Sequence, residues 1–307
     1  MKYFLRIFLI ALLVAGSIFA CKKGGENSAH VEETLTAGTA TFVVDNTIQP
    51  IVEDVLAVFE SIYIRAQIKQ VNLNENALLQ ALQQDTAKVA VMARKLTPEE
   101  EKHFTDKGIT PKVIPFATDA IALIINKSSL DTVVNLNEVF KILQGSESQK
   151  VKRLVFDNAN SSVTKFMLNE AGVSGLPQKN VYSQGTAQDV IKYVHDNPGA
   201  IGLVGVNWIV QPPSELLTYV ENIKVLGVNN VKKGKANAYF KPSQTNIATG
   251  NYPLTRTLYV LNYQGKNGLG MGFANYISAP DGQRIILKSG LLPETIPERS
   301  IQVRNKL

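Results

Sequence analysis

Three short polar turns carry the residues best suited to chemistry in this sequence: Asp45-Asn46-Thr47, Ala93-Arg94-Lys95 and Asn158-Ala159-Asn160-Ser161-Ser162. Each follows a β-prone apolar run and precedes a helical pattern. Hydroxyls and backbone N–H groups at a helix start lack intrahelical partners and sit at the positive end of the helix dipole, so they can cradle an anion. Arg94 adds a planar, permanently charged guanidinium whose forked donors match a tetrahedral oxyanion. The candidate ligand set is therefore Asn46, Thr47, Arg94, Ser161 and Ser162. Each turn taken alone also fits ordinary capping. Lys165 stands in the first turn of a helix, where a cation costs roughly 0.3–1 kcal/mol unless an anion sits at the terminus.

Other chemistries find few actors. The three histidines, His30, His103 and His195, show no metal-ligand spacing, so neither a metal nor a cofactor is expected. No Gly-x-Ser-x-Gly elbow, phosphate-binding Gly-rich Lys loop or dinucleotide fingerprint occurs. Carboxylates are spread throughout, and nothing singles out a catalytic pair. The sequence therefore reads as a binding protein and not an enzyme.

The elements that must position the turns follow from periodicity. Thr39 to Val44 reads as a strand, and Pro50 opens a helix whose face is Ile51, Val55, Val58, Phe59 and Ile62. Ile68 to Leu73 and Lys88 to Ala93 read as strands around a helix from Asn76 to Gln84. Thr97-Pro98-Glu99-Glu100 is a capping box with proline at the first helical position. Pro111 to Phe116 and Asp119 to Asn126 read as two strands, the second central because it is nearly continuous in apolar residues. Asn135 with Glu138 starts a helix to Leu143. The strand Val151 to Phe156 runs into the serine-rich turn, with Ser161 or Ser162 capping a helix that stops at Gly172. Thr186 caps another helix before the strand Ala200 to Gly205. Ile223 to Val228 is a strand, Lys232 to Gly250 a polar loop, and Tyr252 to Leu261 a strand. Two helices, Met271 to Ile277 and Asp281 to Lys288, close the chain. Strands alternating with helices at this spacing predict an α/β architecture with mostly parallel sheets.

At the amino terminus, Lys2 and Arg6 precede an apolar run from Ile7 to Ala20, the order of a secretory signal over residues 1–20. The run is shorter than the roughly 20 apolar residues a transmembrane helix needs. It ends at Cys21, the sole cysteine, which excludes an internal disulfide. That position resembles the lipobox of bacterial lipoproteins, which implies lipidation of Cys21, palmitate included, and a polar tether over 21–37. The formal net charge of +6 suits anion steering or solubility equally. No basic run with interleaved aromatics suggests nucleic acid as a partner.

Segments spanning nearly all of the mature chain resemble the phosphate-binding proteins of ABC transporters. They are VAVMARKLTPEE (Val89 to Glu100), IPFATDAIALIIN (Ile114 to Asn126), FDNANSSVTKF (Phe156 to Phe166), GAIGLVG (Gly199 to Gly205), YPLTRTLYVL (Tyr252 to Leu261) and DGQRIILKSGLLP (Asp281 to Pro293). The resemblance implies a type 2 periplasmic binding fold: two lobes, each a central mixed sheet flanked by helices, joined by two hinge crossovers near Ile124 to Lys127 and Leu226 to Val231. It divides the chain into a first lobe of 38–125 and 227–307 and a second lobe of 126–226. It also implies a monomer on the periplasmic side of the cell envelope that binds phosphate or a similar oxyanion and hands it to an ABC permease. Carried over onto matching positions, Asn46 and Thr47 take the first-loop place, Arg94 the place after the third strand, and Ser161 with Ser162 the second-lobe loop. Family members often carry Gly-Ser-Thr-Thr where this chain has Asp45-Asn46-Thr47-Ile48. That departure leaves open an envelope scaffold or sensor with a degenerate cleft, and an envelope phosphoester hydrolase stands as a third class.

Overall fold

A single long strand organises the molecule. The computed structural model describes residues 33–231 and 234–298, so the signal and Cys21 readings lie outside the described residues. In the first part of the chain β1 (Ala37–Asp45), β2 (Arg65–Leu73) and β3 (Val89–Met92) lie parallel in the order β2-β1-β3. Parallel neighbours need crossovers, and the helices Gln49–Ile62 and Glu75–Gln83 supply them. The capping box forms as read: Thr97 accepts from the Glu100 N–H, and the Glu100 carboxylate reaches back to the Thr97 N–H.

The two strands expected over 111–126 are one, β4 (Lys112–Asn126), 15 residues long. Its pairing slips at Phe116, where Pro115 stands opposite Tyr259 and Ala117 opposite Leu258. Proline has no N–H to donate and is accommodated at such bulges, which is why the sequence reads as interrupted while the strand continues.

Beyond β4 come β5 (Val133–Val134), the helix Leu136–Leu143, β6 (Leu154–Phe156), the helix Ser162–Ala171, β7 (Val181–Ser183), the helix Ala187–Asp196 and β8 (Ile201–Gly205). Short helices at Asn207–Val210 and Leu217–Glu221, β9 (Ile223–Val225), β10 (Gly227–Asn230) and β11 (Lys235–Phe240) follow. Finally come the helix Gln244–Ala248, β12 (Thr255–Asn262), helices Leu269–Ser278 and Pro280–Lys288, and β13 (Leu292–Pro293). The segment 232–250, expected as a loop, thus holds a strand and a helix.

The main path of the sheet is β2-β1-β3-β12-β4-β8-β6-β7, with β9 and β13 also on β4. It is parallel at its two ends and antiparallel in the middle, where β12 runs against both β3 and β4, and β4 against β8. The sheet is therefore mixed rather than mostly parallel. Up to Ala120, β4 pairs with β12; from Ile121 it pairs with β8, so one strand serves both halves. β10 pairs with β5, and Val228, Ile247, Tyr252 and Leu254 are buried in the same cluster as Val134 and Leu136. Val228, Ile247, Tyr252 and Leu254 thus pack with the second half, and β12 that follows pairs with β3 of the first. Tyr252 fixes that return by donating its hydroxyl to the Ile121 carbonyl at 2.6 Å, and the Ile121 N–H donates to Leu254 O.

Candidate anion-binding site

The site grows from four strand ends. β1 ends in the buried carboxylate of Asp45, whose Oδ1 accepts the Thr47 N–H at 3.0 Å. With this aspartate as the cap one residue before Asn46, residues 46–48 wind into a single 3-10 turn and Thr47 is turned inward. After β6, Ser161 caps the helix 162–171: its Oγ accepts the Thr164 N–H at 3.1 Å and donates its own proton to Asp157 Oδ1 at 2.5 Å. Ser162 therefore occupies the first helical position, with its hydroxyl free of capping duty.

Across the middle of the sheet, Arg256 of β12 stands opposite Asp119 of β4 in register. Its Nε and Nη2 donate to Asp119 Oδ2 at 3.2 and 2.7 Å. The same guanidinium reaches both halves, giving Nη1 to Ser162 Oγ at 2.7 Å and Nη2 to Thr47 Oγ1 at 3.1 Å. Those two hydroxyls touch each other at 2.8 Å. All four side chains are buried. Trp208, just past β8, donates its indole N–H to the Thr47 carbonyl at 2.9 Å and so ties the first-half turn to the second half.

Proton counting shows what the arrangement offers. Both hydroxyls accept from Arg256, and one donates to the other, which leaves one hydroxyl proton with no acceptor among the contacts just described. A surplus of donors converging from a guanidinium and two hydroxyls suits an oxyanion. The residues that hold this cluster or stand next to it also carry buried oxygens with no partner among the described residues: Asp45 Oδ2, Asn46 Oδ1, Asp119 Oδ1 and Asp157 Oδ2. Burial pushes the Asp157 carboxyl up to about 6, and the nearby charge of Asp45 pushes the same way against the hydrogen bond from Ser161. Burial also pushes the Asp119 carboxyl up, opposed by Arg256.

The structure thus brings together Thr47, Ser161 and Ser162, with Asn46 beside them in the turn. Arg94 is elsewhere engaged. Its guanidinium donates to Glu75 at 2.9 and 3.1 Å, to both Glu100 oxygens at 2.7 and 2.9 Å, and to the Lys95 carbonyl. The guanidinium among the hydroxyls is that of Arg256, which sequence reasoning did not single out, and neither did it single out Asp119. Both carried a signal: each is a charged residue inside an apolar strand, where a buried charge requires a partner. Lys165 does not answer an anion at the helix start either. Its ammonium pairs with Glu75 at 2.9 Å and bonds the Asn76 amide oxygen across the halves.

Comparisons with known proteins bear on the fold. The phosphate-binding protein PstS of Pseudomonas aeruginosa is 25% identical over 249 residues, covering 72% of this chain and 73% of the relative. PstS of Bacillus subtilis is 22% identical over 301 residues, 94% of this chain and 91% of the relative. Among solved structures, a phosphate ABC transporter substrate-binding protein from Clostridium perfringens with bound phosphate superposes with a TM-score of 0.68 at 16% identity, over 84% of this chain and all of that one. An ABC-type phosphate transport receptor from Vibrio cholerae gives 0.61 at 16%, over 83% and 100%. A family model described as a PBP superfamily domain matches residues 29–281. The chain therefore belongs to the PBP superfamily, with the type 2 periplasmic-binding fold of the phosphate ABC-transporter substrate-binding proteins.

Proposed function

We propose that the chain is an extracytoplasmic solute-binding protein that closes over inorganic phosphate and delivers it to an ABC permease, held at the membrane by a lipid on Cys21. The observation that carries this reading is Arg256, one guanidinium donating to Thr47 from the first half and Ser162 from the second. An anion that enters between the halves replaces the direct Thr47–Ser162 contact and collects the donors of both. Closure of the two halves around β4 then follows from contacts that only the bound state completes. Names of the relatives from Pseudomonas aeruginosa and Bacillus subtilis support phosphate as the anion.

Selectivity follows from the acceptors. Unpartnered carboxylate oxygens of Asp45, Asp119 and Asp157 beside the donors repel a fully deprotonated anion and accept a proton from one that carries a hydroxyl. Phosphate and arsenate are protonated near neutral pH, and sulfate is not. The counter-charge in this reading is Arg256, with Arg94 holding the rim.

Calorimetry on the soluble form beginning after Cys21 tests the proposal against phosphate, arsenate, sulfate and molybdate. Phosphate and arsenate should bind and sulfate should not. Arg256→Gln should lose more than tenfold in affinity, since each charged hydrogen bond is worth about 1.5–3 kcal/mol. Arg94→Ala should change affinity far less; the reverse ranking would return the counter-charge to Arg94. The direct Thr47–Ser162 bond also favours a second reading, an envelope scaffold or sensor whose cleft satisfies itself, and silence toward all four anions would select it.

A further inference from the structure

Asn207, two residues past the end of β8, is 1% exposed, and neither its Oδ1 nor its Nδ2 has a partner among the described residues. A buried amide with both ends unmet is uncommon, because burying it exchanges good bonds to water for none. Its surroundings fix where it points. A Cβ placed on Gly205 would lie 2.7 Å from Asn207 Oδ1, 3.0 Å from the Thr47 carbonyl and 3.3 Å from Asp119 Oδ2. The amide oxygen, the Thr47 carbonyl and Asp119 Oδ2 therefore surround the same small space beside Gly205, and glycine at 205 keeps that space clear. The neighbouring Trp208 indole, bonded to the Thr47 carbonyl, holds this segment to the first-half turn.

We infer that Asn207 is a ligand-contacting residue of the anion site, donating Nδ2–H to an oxygen of the bound oxyanion and accepting the anion's hydroxyl proton at Oδ1. The inference rests on the oxyanion reading above and adds a third wall to it, from the end of β8. The chemistry of the cluster explains why an amide serves there. Arg256 and the hydroxyls of Thr47 and Ser162 supply donors, while Asp45, Asp119 and Asp157 supply negative acceptors. An amide adds one donor and one acceptor without adding charge, so it reads a partly protonated oxyanion at both ends.

The test uses the soluble form and Asn207→Leu, which keeps the approximate shape and removes both polar ends. With phosphate as the probe in calorimetry, Asn207→Leu should bind about tenfold more weakly or worse, the loss of a hydrogen bond to a charged group. In the absence of phosphate its thermal midpoint should equal or exceed that of the parent, because two unmet buried polar atoms are gone. A merely structural asparagine would lower that midpoint. In the parent, the side-chain NH2 resonances of Asn207, assigned by their loss in Asn207→Leu, should shift on adding phosphate. Affinity within twofold of the parent, or NH2 resonances unmoved at saturation, overturns the inference while leaving the oxyanion reading intact. If the parent binds none of the four anions, that reading fails and takes this inference with it. Should Asn207→Leu fail to fold, Asn207→Ser and the parent resonances decide the question.

Discussion

Asp157 is the residue at which protonation and folding meet most directly. Its carboxyl is buried at the end of β6, and desolvation with the nearby charge of Asp45 raises it to about 6. An unfolded aspartate titrates near 3.9. The folded state therefore holds this proton more tightly, and stability falls as pH rises from about 4 through about 6. The difference corresponds to about 3 kcal/mol for this group alone, an upper figure because neighbouring groups relax. Asp157→Asn should flatten the chemical-denaturation stability profile between pH 4 and 7 and raise stability at pH 8. An unchanged slope across that window would mean the group titrates as if exposed. At this scale the sequence singles out the hydroxyls that meet in the structure and passes over the guanidinium that joins them. Ser161, Ser162 and Thr47 announce themselves by clustering in turns before helices. Arg256 lies between Thr255 and Thr257 in a strand that otherwise reads as apolar, and its partner Asp119 is 137 residues away. Only the antiparallel pairing of β12 with β4 makes them neighbours, and pairing register between distant strands is not written in local periodicity.

Helices and strands were legible wherever capping or periodicity is local. The starts at Thr97, Asn135, Ser161 and Thr186 all carry a side-chain cap of the kind the sequence advertises. What local signals could not give was the joining of 111–116 to 119–126, or the packing of Val228, Ile247, Tyr252 and Leu254 with the second half, since both depend on partners from other elements. The same holds for the rim of the cleft. Glu75 opens the helix 75–83 with its carboxylate nearly buried, and its Oε1 receives both Arg94 of the first half and Lys165 of the second. Asn76 Nδ2 donates a hydrogen bond to Asn160 Oδ1 across the same line at 2.9 Å. In the closure proposed above, these contacts between the halves form only as the two elements approach, and so favour it. Lys165 is about one-third exposed, which limits the pair to about 0.5–1 kcal/mol. Lys165→Ala should then weaken phosphate binding about two- to fivefold, and the deficit should shrink as salt is raised. An affinity equal to the parent at low salt would show that the rim has no part in closure.

The two halves of the molecule are expected to unfold as one, and the reason is β4. Val113 packs against the cluster that includes Leu78 and Phe104, and Phe116 and Ala117 lie in that of the helix 49–62. Ile121, Leu123 and Ile125 enter the cluster beneath the helix 162–171, while Ala122 and Ile124 face the helix 187–196. Every major core cluster thus contains part of one strand, and neither half can lose its core without withdrawing β4 from the other. Independent domains joined by flexible linkers would lack this coupling. Calorimetric unfolding should therefore show one cooperative transition without phosphate and one with it. The ligand binds only the folded chain, so a thousandfold excess over the dissociation constant should add about 4 kcal/mol of stability. For a unit of this size that raises the midpoint by on the order of 10 °C. Sulfate at the same concentration should leave it near the unliganded value, since the carboxylate oxygens of Asp45, Asp119 and Asp157 have no proton to accept from it. Two resolved transitions, with only one moving as phosphate is added, would show that the halves fold separately and that β4 does not couple them.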